Sequence, residues 1–360
     1  MDFRVLIVDD DLDQVANVKE LIEGNSIVAS PCSIICDSCN SFGEALDKIK
    51  HMRFDIVILD LRDDSKEGEK QEHFEGEKLF NQIKDNIFVP IVFHSGYAHT
   101  VKQYAGTFIK AVAKGEPQLL RDAIKQIIDT QFPQFMSHID NQLRSYLWTE
   151  HEQICKASPE VSNSEMIFLI GRRLANSLKS EVIKQFLKID PGQTIQPIEM
   201  YVWPPIAGEA NFFGDIFKLN SRERYFVLLN PSCDLVQGKA DNVVLGECRN
   251  IESFSEYKKI IQQKNPGNPA SGSQKDNLTK LLFTNDRFFY LPKTNFVNNL
   301  IIDFQLLQSD VISNLAINYT KIASLDSPFA ESLQDKFSRY SSRIGTPDLN
   351  RDEVISKLIN

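Results

Sequence analysis

The stretch VLIVDDD at residues 5–11 places four consecutive apolar residues directly before three acids. Two similar stretches follow, DIVILDL at 55–61 and PIVFHSG at 90–96, and a weaker one, AVAKG, lies at 111–115. Short apolar runs of this kind are typical of parallel strands that are buried on both faces of a sheet. Apolar residues with helical spacing lie between them, so strands and helices alternate. The alternation predicts a doubly wound α/β sheet.

Length and composition indicate an ordinary globular protein with more than one domain. The chain has 360 residues, of which 42% are hydrophobic and 25% are charged, and domains usually contain about 100–200 residues. No apolar run reaches the roughly 18 residues that a membrane helix needs, and the N-terminus does not read as a secretion signal. The six cysteines are too scattered for a disulfide scaffold. We therefore expect a cytoplasmic protein without a membrane segment.

Net negative charge is concentrated in the first part of the chain. Residues 1–130 contain 15 Lys and Arg but 23 Asp and Glu, whereas the remaining residues contain 25 and 26. Because neither part is basic, strong electrostatic binding to nucleic acid is disfavoured.

Changes in pattern divide the chain into three regions. The α/β alternation occupies residues 1–128, and helical spacing continues over 129–190, which predicts a helical connector. Short apolar runs separated by Gly, Pro and Asn predict a β-rich domain with terminal helices over 191–360, with a flexible polar loop near 262–277. The apolar stripe of the connector suits packing within one chain or, alternatively, a homodimer.

Polar side chains follow several predicted strands at the point where each strand ends. Asp9 and Asp10 follow the first strand, Asp60 follows the third, Ser95 the fourth and Lys114 the fifth. Parallel strands end at one edge of a sheet, so we expect these groups to converge. Close carboxylates repel each other unless a cation neutralises them, and a hard cation such as Mg²⁺ prefers oxygen ligands. The pattern predicts an aspartyl-phosphate site in which metal and ammonium offset phosphoryl charge.

The four quoted segments, in this order, resemble the receiver domain of two-component response regulators over about the first 125 residues. The resemblance implies a flavodoxin-like sheet of five parallel strands, Mg²⁺ as cofactor, a partner histidine kinase as phosphoryl donor, and slow self-dephosphorylation. Asp60 would be the phosphoacceptor. The other implied roles are metal-site acids for Asp9 and Asp10, a metal-binding backbone carbonyl for Arg62, the switch hydroxyl for Ser95, and the family's site lysine for Lys114.

The sequence departs from the family pattern at four places. Gly115 follows the lysine where the family usually has a proline in a cis bond, so we expect a looser turn. Ala111 stands where the family often has an aromatic switch residue. Tyr97 lies where side chains can shield a phosphoaspartate from water. The highly charged segment 62–78 is longer than usual, either as a solvated insertion or as a surface for a partner.

Other candidate groups carry weaker signals. Cys32, Cys36 and Cys39 are closely spaced but lack a fourth zinc ligand nearby, so we interpret them as small apolar residues of strand two. His94 is expected to be a structural residue at the end of a strand. His151 and Cys155 have helical spacing without further ligands.

The C-terminal region leaves its function open. Gly214-Asp215-Ile216, Arg222, Arg224 and Ser232 loosely resemble small SH3-like barrels of toxin ribonucleases. The sequence therefore predicts a response regulator that controls a non-standard output domain. Two alternatives remain, an RNA-cleaving effector under receiver control and a phosphate sink that competes with a second response regulator. An output protein is a further expected partner.

Overall fold

The chain forms two compact units, residues 1–191 and 192–360. This computed structural model describes residues 2–23, 27–29, 31–62, 75–150, 152–153, 156, 160–190, 194–206, 208–263, 271–343 and 349–359. The pair His151 and Cys155 therefore lies outside the described residues, as does most of the charged segment 62–78. Within the described part, no helix is long and apolar enough to cross a membrane.

The first unit is built on a sheet of five parallel strands in the order β2-β1-β3-β4-β5. Its strands are β1 (Asp2–Val8), β2 (Ser33–Cys39), β3 (Ile56–Leu59), β4 (Ile91–His94) and β5 (Ile109–Val112). Its first helices are α1 (Leu12–Glu23), α2 (Phe42–His51), α3 (Glu75–Asn86) and α4 (Pro117–Asp129). Every position of β3 and β4 is buried and all but His94 are apolar, as expected for strands covered on both faces. The predicted flavodoxin-like fold is confirmed.

Helices cover both faces of this sheet. On one face α1 and α4 pack against alternate strand residues such as Val5, Ile7 and Ile58. On the other face α2 and α3 pack against residues such as Leu6 and Val57. The alternation follows from strand geometry, because successive side chains point to opposite faces. Both faces of the central strands are thereby removed from water. This burial is the main favourable contribution to folding of this unit.

The connection between β4 and β5 differs from the other crossovers. It contains a 3₁₀ helix, Ala98–Tyr104, rather than an α-helix. Val101 of this segment is buried against the face covered by α2 and α3. Three of the four residues of β5 are only partly buried. The β5 edge is thus less well covered than the centre of the sheet.

The predicted connector begins with a helix anchored at the amino ends of the strands. Helix α5 (Phe132–Ser145) packs Phe132 against Phe88 and Phe108, with ring centroids 5.0 and 4.7 Å apart. Arg53 donates hydrogen bonds to the backbone oxygen of Pro133 and to Asp140. These contacts lie before β3, β4 and β5, at the edge of the sheet opposite to the predicted acidic site.

Among the described residues, the rest of the connector contains a π-helix at Tyr146–Glu150 and two α-helices, α6 (Asn163–Ser177) and α7 (Ser180–Phe186). Ser162 caps α6 through a capping box with Glu165.

The second unit is built on a sheet of seven strands in the order β10-β11-β9-β8-β7-β12-β6. All of its strand pairs are antiparallel. The strands are β6 (Tyr201–Val202), β7 (Asp215–Leu219), β8 (Tyr225–Leu228), β9 (Asn242–Asn250), β10 (Phe288–Leu291), β11 (Leu300–Val311) and β12 (Tyr319–Leu325). The helices are α8 (Ser232–Val236), α9 (Ser255–Gln263), α10 (Gly272–Thr279), α11 (Ser313–Asn318), α12 (Phe329–Ser341) and α13 (Arg351–Ile359). The predicted β-rich C-terminal part is confirmed.

The flexible polar loop predicted over 262–277 is wrong for its described C-terminal part. Helix α10 begins within it, because Ser271 and Gln274 form a capping box that satisfies backbone donors of the first turn. Residues 264–270 of the predicted loop lie outside the described part of the chain.

Two acids are fully buried in the second sheet and each is paired with cations. Asp303 on β11 accepts two hydrogen bonds from Arg287, at 2.7 and 2.6 Å, and lies 3.6 Å from Arg249. Asp215 on β7 lies 2.8 Å from Lys321 and accepts a 2.7 Å hydrogen bond from Ser324. Buried carboxylates are tolerated when they are paired and hydrogen-bonded in this way.

Candidate functional site

Three acids converge where β1 and β3 end. Val8 pairs with Leu59 in the parallel register, and the backbone N–H of Asp60 donates to the oxygen of Val8 over 2.9 Å. The residues that follow each strand are thereby brought together. Ligand oxygens of Asp9, Asp10 and Asp60 all lie within 4.8 Å of one another. Among the described residues, no other group of three carboxylate, imidazole or thiol ligands is this close.

Lys114 places its ammonium between two of these acids. Its Nζ lies 2.8 Å from Asp9 Oδ2 and 2.7 Å from Asp60 Oδ2. The backbone holds it there, because Lys114 N–H donates to the Ser95 oxygen over 3.4 Å and Ser95 N–H donates to the Val112 oxygen over 3.2 Å. Four of the five predicted side chains thus meet at one point, and Ser95 lies in the backbone that positions the lysine.

The electrostatics of the cluster favour a further cation. Burial is the largest cause that raises the pKa of Asp9, and the neighbouring Asp60 charge adds to it. Burial opposes the charge of Lys114, but its hydrogen bonds to Asp60 and Asp9 outweigh that effect and raise its pKa. Asp9 and Asp60 share the single ammonium of Lys114, so these two carboxylates are not fully neutralised by it. Mg²⁺ prefers carboxylate and other oxygen ligands, and the donor set of Asp9, Asp10 and Asp60 fits this ion.

Ser95 is buried at the end of β4, with only 1% of its surface exposed. Its Oγ accepts a 3.3 Å hydrogen bond from the backbone N–H of Tyr97. The hydroxyl is therefore held by the first turn of its own loop. A rotation of Ser95 would break this bond and alter the position of Tyr97.

The Tyr97 side chain bridges two loops at this edge. Arg62 Nη1 donates to the Tyr97 hydroxyl over 2.7 Å, and the guanidinium lies 5.3 Å from the centre of the ring. The predicted metal-binding carbonyl of Arg62 stays a prediction, but its side chain links the loop after Asp60 to the loop after Ser95. This contact between Arg62 and Tyr97 was not evident from the sequence, since the two residues are 35 positions apart.

Gly76 is a site residue that sequence reasoning missed. A Cβ atom there would lie 2.2 Å from the carbonyl oxygen of Asp60 and 2.7 Å from the Cα of Leu61. The Gly76 N–H also donates to the Leu61 oxygen over 3.1 Å. Helix α3 thus begins directly against the backbone of the predicted phosphoacceptor. A glycine in the first turn of an amphipathic helix was the available signal, because glycine permits a close backbone approach.

The departures from the family pattern have structural counterparts. Gly115 has φ +92°, which proline cannot adopt, so this turn follows a different path from one built on proline. Ala111 is partly buried in β5 and packs on the face covered by α2 and α3. Its methyl group leaves no aromatic side chain at that position.

The remaining N-terminal candidates are buried structural residues. Burial, followed by the positive charge of Lys114, lowers the pKa of His94 to about 4, so the imidazole is neutral near pH 7. Burial raises the pKa of Cys36 and of Cys39 to about 12. Both cysteines belong to apolar clusters, on opposite faces of the sheet, which agrees with their interpretation as apolar residues.

The residues that resemble a toxin ribonuclease are engaged elsewhere. Asp215 is fully buried in its ion pair, and Arg224 pairs with Glu247 over 2.8 Å. Ser232 Oγ accepts a 3.0 Å hydrogen bond from the backbone of Phe213. These contacts account for the three polar side chains as parts of the folded sheet.

Comparison with known proteins finds similarity only among solved structures. No family model and no curated protein matches the chain. A response regulator receiver domain from Methanospirillum hungatei is 24% identical over 36% of this chain and 97% of its own, with a TM-score of 0.28. A two-component response regulator from Clostridium difficile is 19% identical over 36% and 98%, also at 0.28. A response regulator from Thermotoga maritima, in complex with Mg²⁺ and BeF, is 22% identical over 34% and 98%, at 0.26.

These matches cover about the first third of the chain and nearly all of each receiver domain. The similarity agrees with the expected receiver segment. Because the TM-scores are low, the fold assignment rests on the observed strand order and on the convergence of the acids, and the similarity itself carries no argument about activity.

Proposed function

We propose that the first unit is a receiver that accepts a phosphoryl group on Asp60 from a partner histidine kinase, in a reaction that requires Mg²⁺. The observation that carries this proposal is the Lys114 ammonium, which lies within 2.8 Å of both Asp9 and Asp60 beside a third carboxylate. Such a cluster has an excess of negative charge, and one of its carboxylates can serve as a nucleophile.

In the proposed reaction an Asp60 oxygen attacks phosphorus while the bond from phosphorus to the donor histidine nitrogen breaks. The histidine leaves as a neutral imidazole after it takes up a proton, and Asp60 becomes an acyl phosphate. Mg²⁺ bound by Asp9, Asp10 and Asp60 would supply charge neutralisation at the phosphoryl oxygens.

Lys114 contributes a second positive charge beside Asp60. Its Nζ already donates to Asp60 Oδ2 over 2.7 Å, so a phosphoryl group on that carboxylate stays within reach of the ammonium. The other oxygen of Asp60 accepts from the Leu61 N–H over 2.7 Å, which fixes the plane of the carboxylate. The protein thus orients the nucleophile with two donors, and orientation provides much of the catalysis in phosphoryl transfer.

The experiment is labelling of the full chain with acetyl phosphate and Mg²⁺, followed by mass spectrometry of the intact protein. We expect one phosphoryl group per chain and none in Asp60→Asn, because an amide is a poor nucleophile. Asp10→Ala should weaken the labelling. Asp55→Asn is the matched control, since Asp55 is equally buried but lies before β3, at the other end of the strand. Undiminished labelling of Asp60→Asn contradicts the proposal.

We further propose that phosphorylation acts on the rest of the protein through the loop after β4. In this loop the Tyr97 N–H donates a hydrogen bond to Ser95 Oγ. The Lys114 N–H, just before α4, donates to the Ser95 carbonyl oxygen. Beryllofluoride with Mg²⁺ should therefore change hydrogen exchange at 95–106 and in the helices that follow residue 116. Ser95→Ala should remove these changes and leave labelling largely intact. Changes confined to the loops of Asp60 and Lys114 would favour a phosphate sink.

A further inference from the structure

A cavity in the second unit combines apolar walls with a cationic helix face. It has a volume of about 620 Å³, within the range of about 300–1,000 Å³ that is usual for small-molecule sites. Helix α12 contributes Ser332, Lys336 and Arg339, which recur at i, i+4 and i+7 and so share one face. Nothing in the proposed phosphotransfer uses this cavity.

Much of the cavity lining is apolar. The lining includes the side chains of Phe283, Phe289, Tyr290, Met200 and Ile195. Phe283 is 64% exposed, although its ring stands edge-on to Tyr290 with centroids 6.1 Å apart. An aromatic side chain left so open at a cavity offers surface for the apolar part of a ligand.

The ammonium of Lys336 lacks a close counter-charge. Among the described residues it forms no ion pair and no hydrogen bond. Burial is the largest cause that lowers its pKa, the charge of Asp286 opposes that effect, and Arg339 lowers the pKa further. A partly buried, unpaired ammonium is costly, and an anionic group in the cavity would relieve that cost.

We propose that this cavity binds a small organic acid whose apolar body packs on Phe283 and Tyr290 and whose carboxylate binds Lys336. A single negative charge fits better than a phosphate dianion. Arg339 is already paired with Asp335 and Asp286 lies in the same wall, so Lys336 is the one lining cation without an ion-pair partner among the described residues.

The first test is calorimetric titration of the full chain with two probes, octanoate and 4-phenylbutyrate. We expect one saturable site per chain and no binding of 4-phenylbutylamine, which has a similar body and the opposite charge. Lys336→Gln should weaken binding by about tenfold or more, as for loss of one charge-assisted hydrogen bond. Lys239→Gln removes an exposed lysine elsewhere in the unit and should leave affinity unchanged. Wild-type protein that binds neither acid overturns the proposal, as does equal affinity in Lys336→Gln.

A second measurement avoids any effect of substitution on folding. Limiting acetic anhydride near neutral pH acylates the neutral form of amines, and mass spectrometry of the digested protein gives the extent of modification at Lys336 and at Lys239. Saturating 4-phenylbutyrate should protect Lys336 at least fivefold and leave Lys239 unprotected. Equal modification of Lys336 with and without the acid contradicts the proposed site. Neither measurement involves phosphorylation, so failure here is distinguishable from failure of the receiver assignment.

Discussion

The two units both bury carboxylates beside cations, but the balance of charge is opposite. In the first unit Asp9 and Asp60 share one ammonium, and the carboxylate of Asp10 lies beside them. In the second unit the single carboxylate of Asp303 lies between two guanidinium groups. Burial raises the pKa of Asp9, whereas hydrogen bonds from Arg287 overcome burial and lower the pKa of Asp303.

This difference separates a binding site from a structural ion pair. The Asp303 cluster is complete, because its acceptors are satisfied by the protein itself. The acidic cluster of the first unit has two carboxylates on one ammonium, and we propose that a cation supplied from outside completes it. The two clusters therefore differ in charge balance, although both contain buried, ion-paired acids.

The largest expected effect is on the complete cluster. Arg287→Met leaves the buried Asp303 with only the Arg249 guanidinium, 3.6 Å away. We therefore expect a loss of about 3 kcal/mol in the free energy of unfolding, measured by urea denaturation. Lys357→Met breaks an exposed pair with Glu353 and should change stability by less than about 1 kcal/mol. Equal effects of the two substitutions would remove the structural role that the comparison gives to Asp303.

The next effect concerns the incomplete cluster. Mg²⁺ at 100 times its dissociation constant should stabilise the wild-type protein by about 2.7 kcal/mol, visible as a higher melting temperature of the first unit. Asp9→Asn should reduce this gain, and EDTA should abolish it. Arg287→Met should keep the full gain, because its cluster needs no added cation. A melting curve that is unmoved by millimolar Mg²⁺ would show that the acids are not a metal site.

Acid should act on the two clusters with opposite signs in the absence of Mg²⁺. The folded pKa of Asp9 is raised, so its protonation stabilises the fold as pH falls from neutral towards the unfolded value of 3.8. The folded pKa of Asp303 is lowered, so its contribution is lost only as pH falls below that value. Urea denaturation from neutral pH to well below 3.8, with Asp9→Asn and Asp303→Asn as references, measures both slopes. Slopes of equal sign would refute the contrast between the clusters.

The smallest expected effect sharpens the comparison at the edge of the acidic cluster. Tyr97→Phe removes the hydrogen bond from Arg62 and keeps the ring that the guanidinium covers. We expect a loss of about 0.5–1.5 kcal/mol, typical of one hydrogen bond, and faster dephosphorylation of labelled protein by less than about tenfold. An unchanged phosphoryl lifetime would mean that the Tyr97 bridge does not shield Asp60.

Local patterns predicted the first unit well. Runs such as that of β3 are apolar at every position, and the acids that follow them are placed by parallel pairing, so the meeting of Asp9 and Asp60 needed only the strand ends. Contacts that depend on loop paths were not predictable. The Arg62–Tyr97 bridge and the approach of Gly76 to Asp60 join residues whose distance is fixed by tertiary structure.

The second unit was predicted only at the level of its strands. Its sheet order depends on antiparallel pairs between distant segments, such as β7 with β12, which no local pattern specifies. Asp303 was nevertheless a visible exception, because an acid interrupts the apolar run LIIDF at 300–304. Helix α10 was missed because its sequence has few apolar residues, and the capping box of Ser271 was the signal overlooked.

The hydrogen bond from Gly76 to Leu61 has a consequence for how this chain tolerates change. It joins the two ends of the segment that follows Asp60, so the ends stay together whatever number of residues lies between them. The entropic free-energy cost of closing such a connection rises by only about 0.6 kcal/mol for each doubling of its length. Insertions and new charges at 63–74 can therefore accumulate at low thermodynamic cost. The two ends that this hydrogen bond joins lie directly beside the backbone of Asp60.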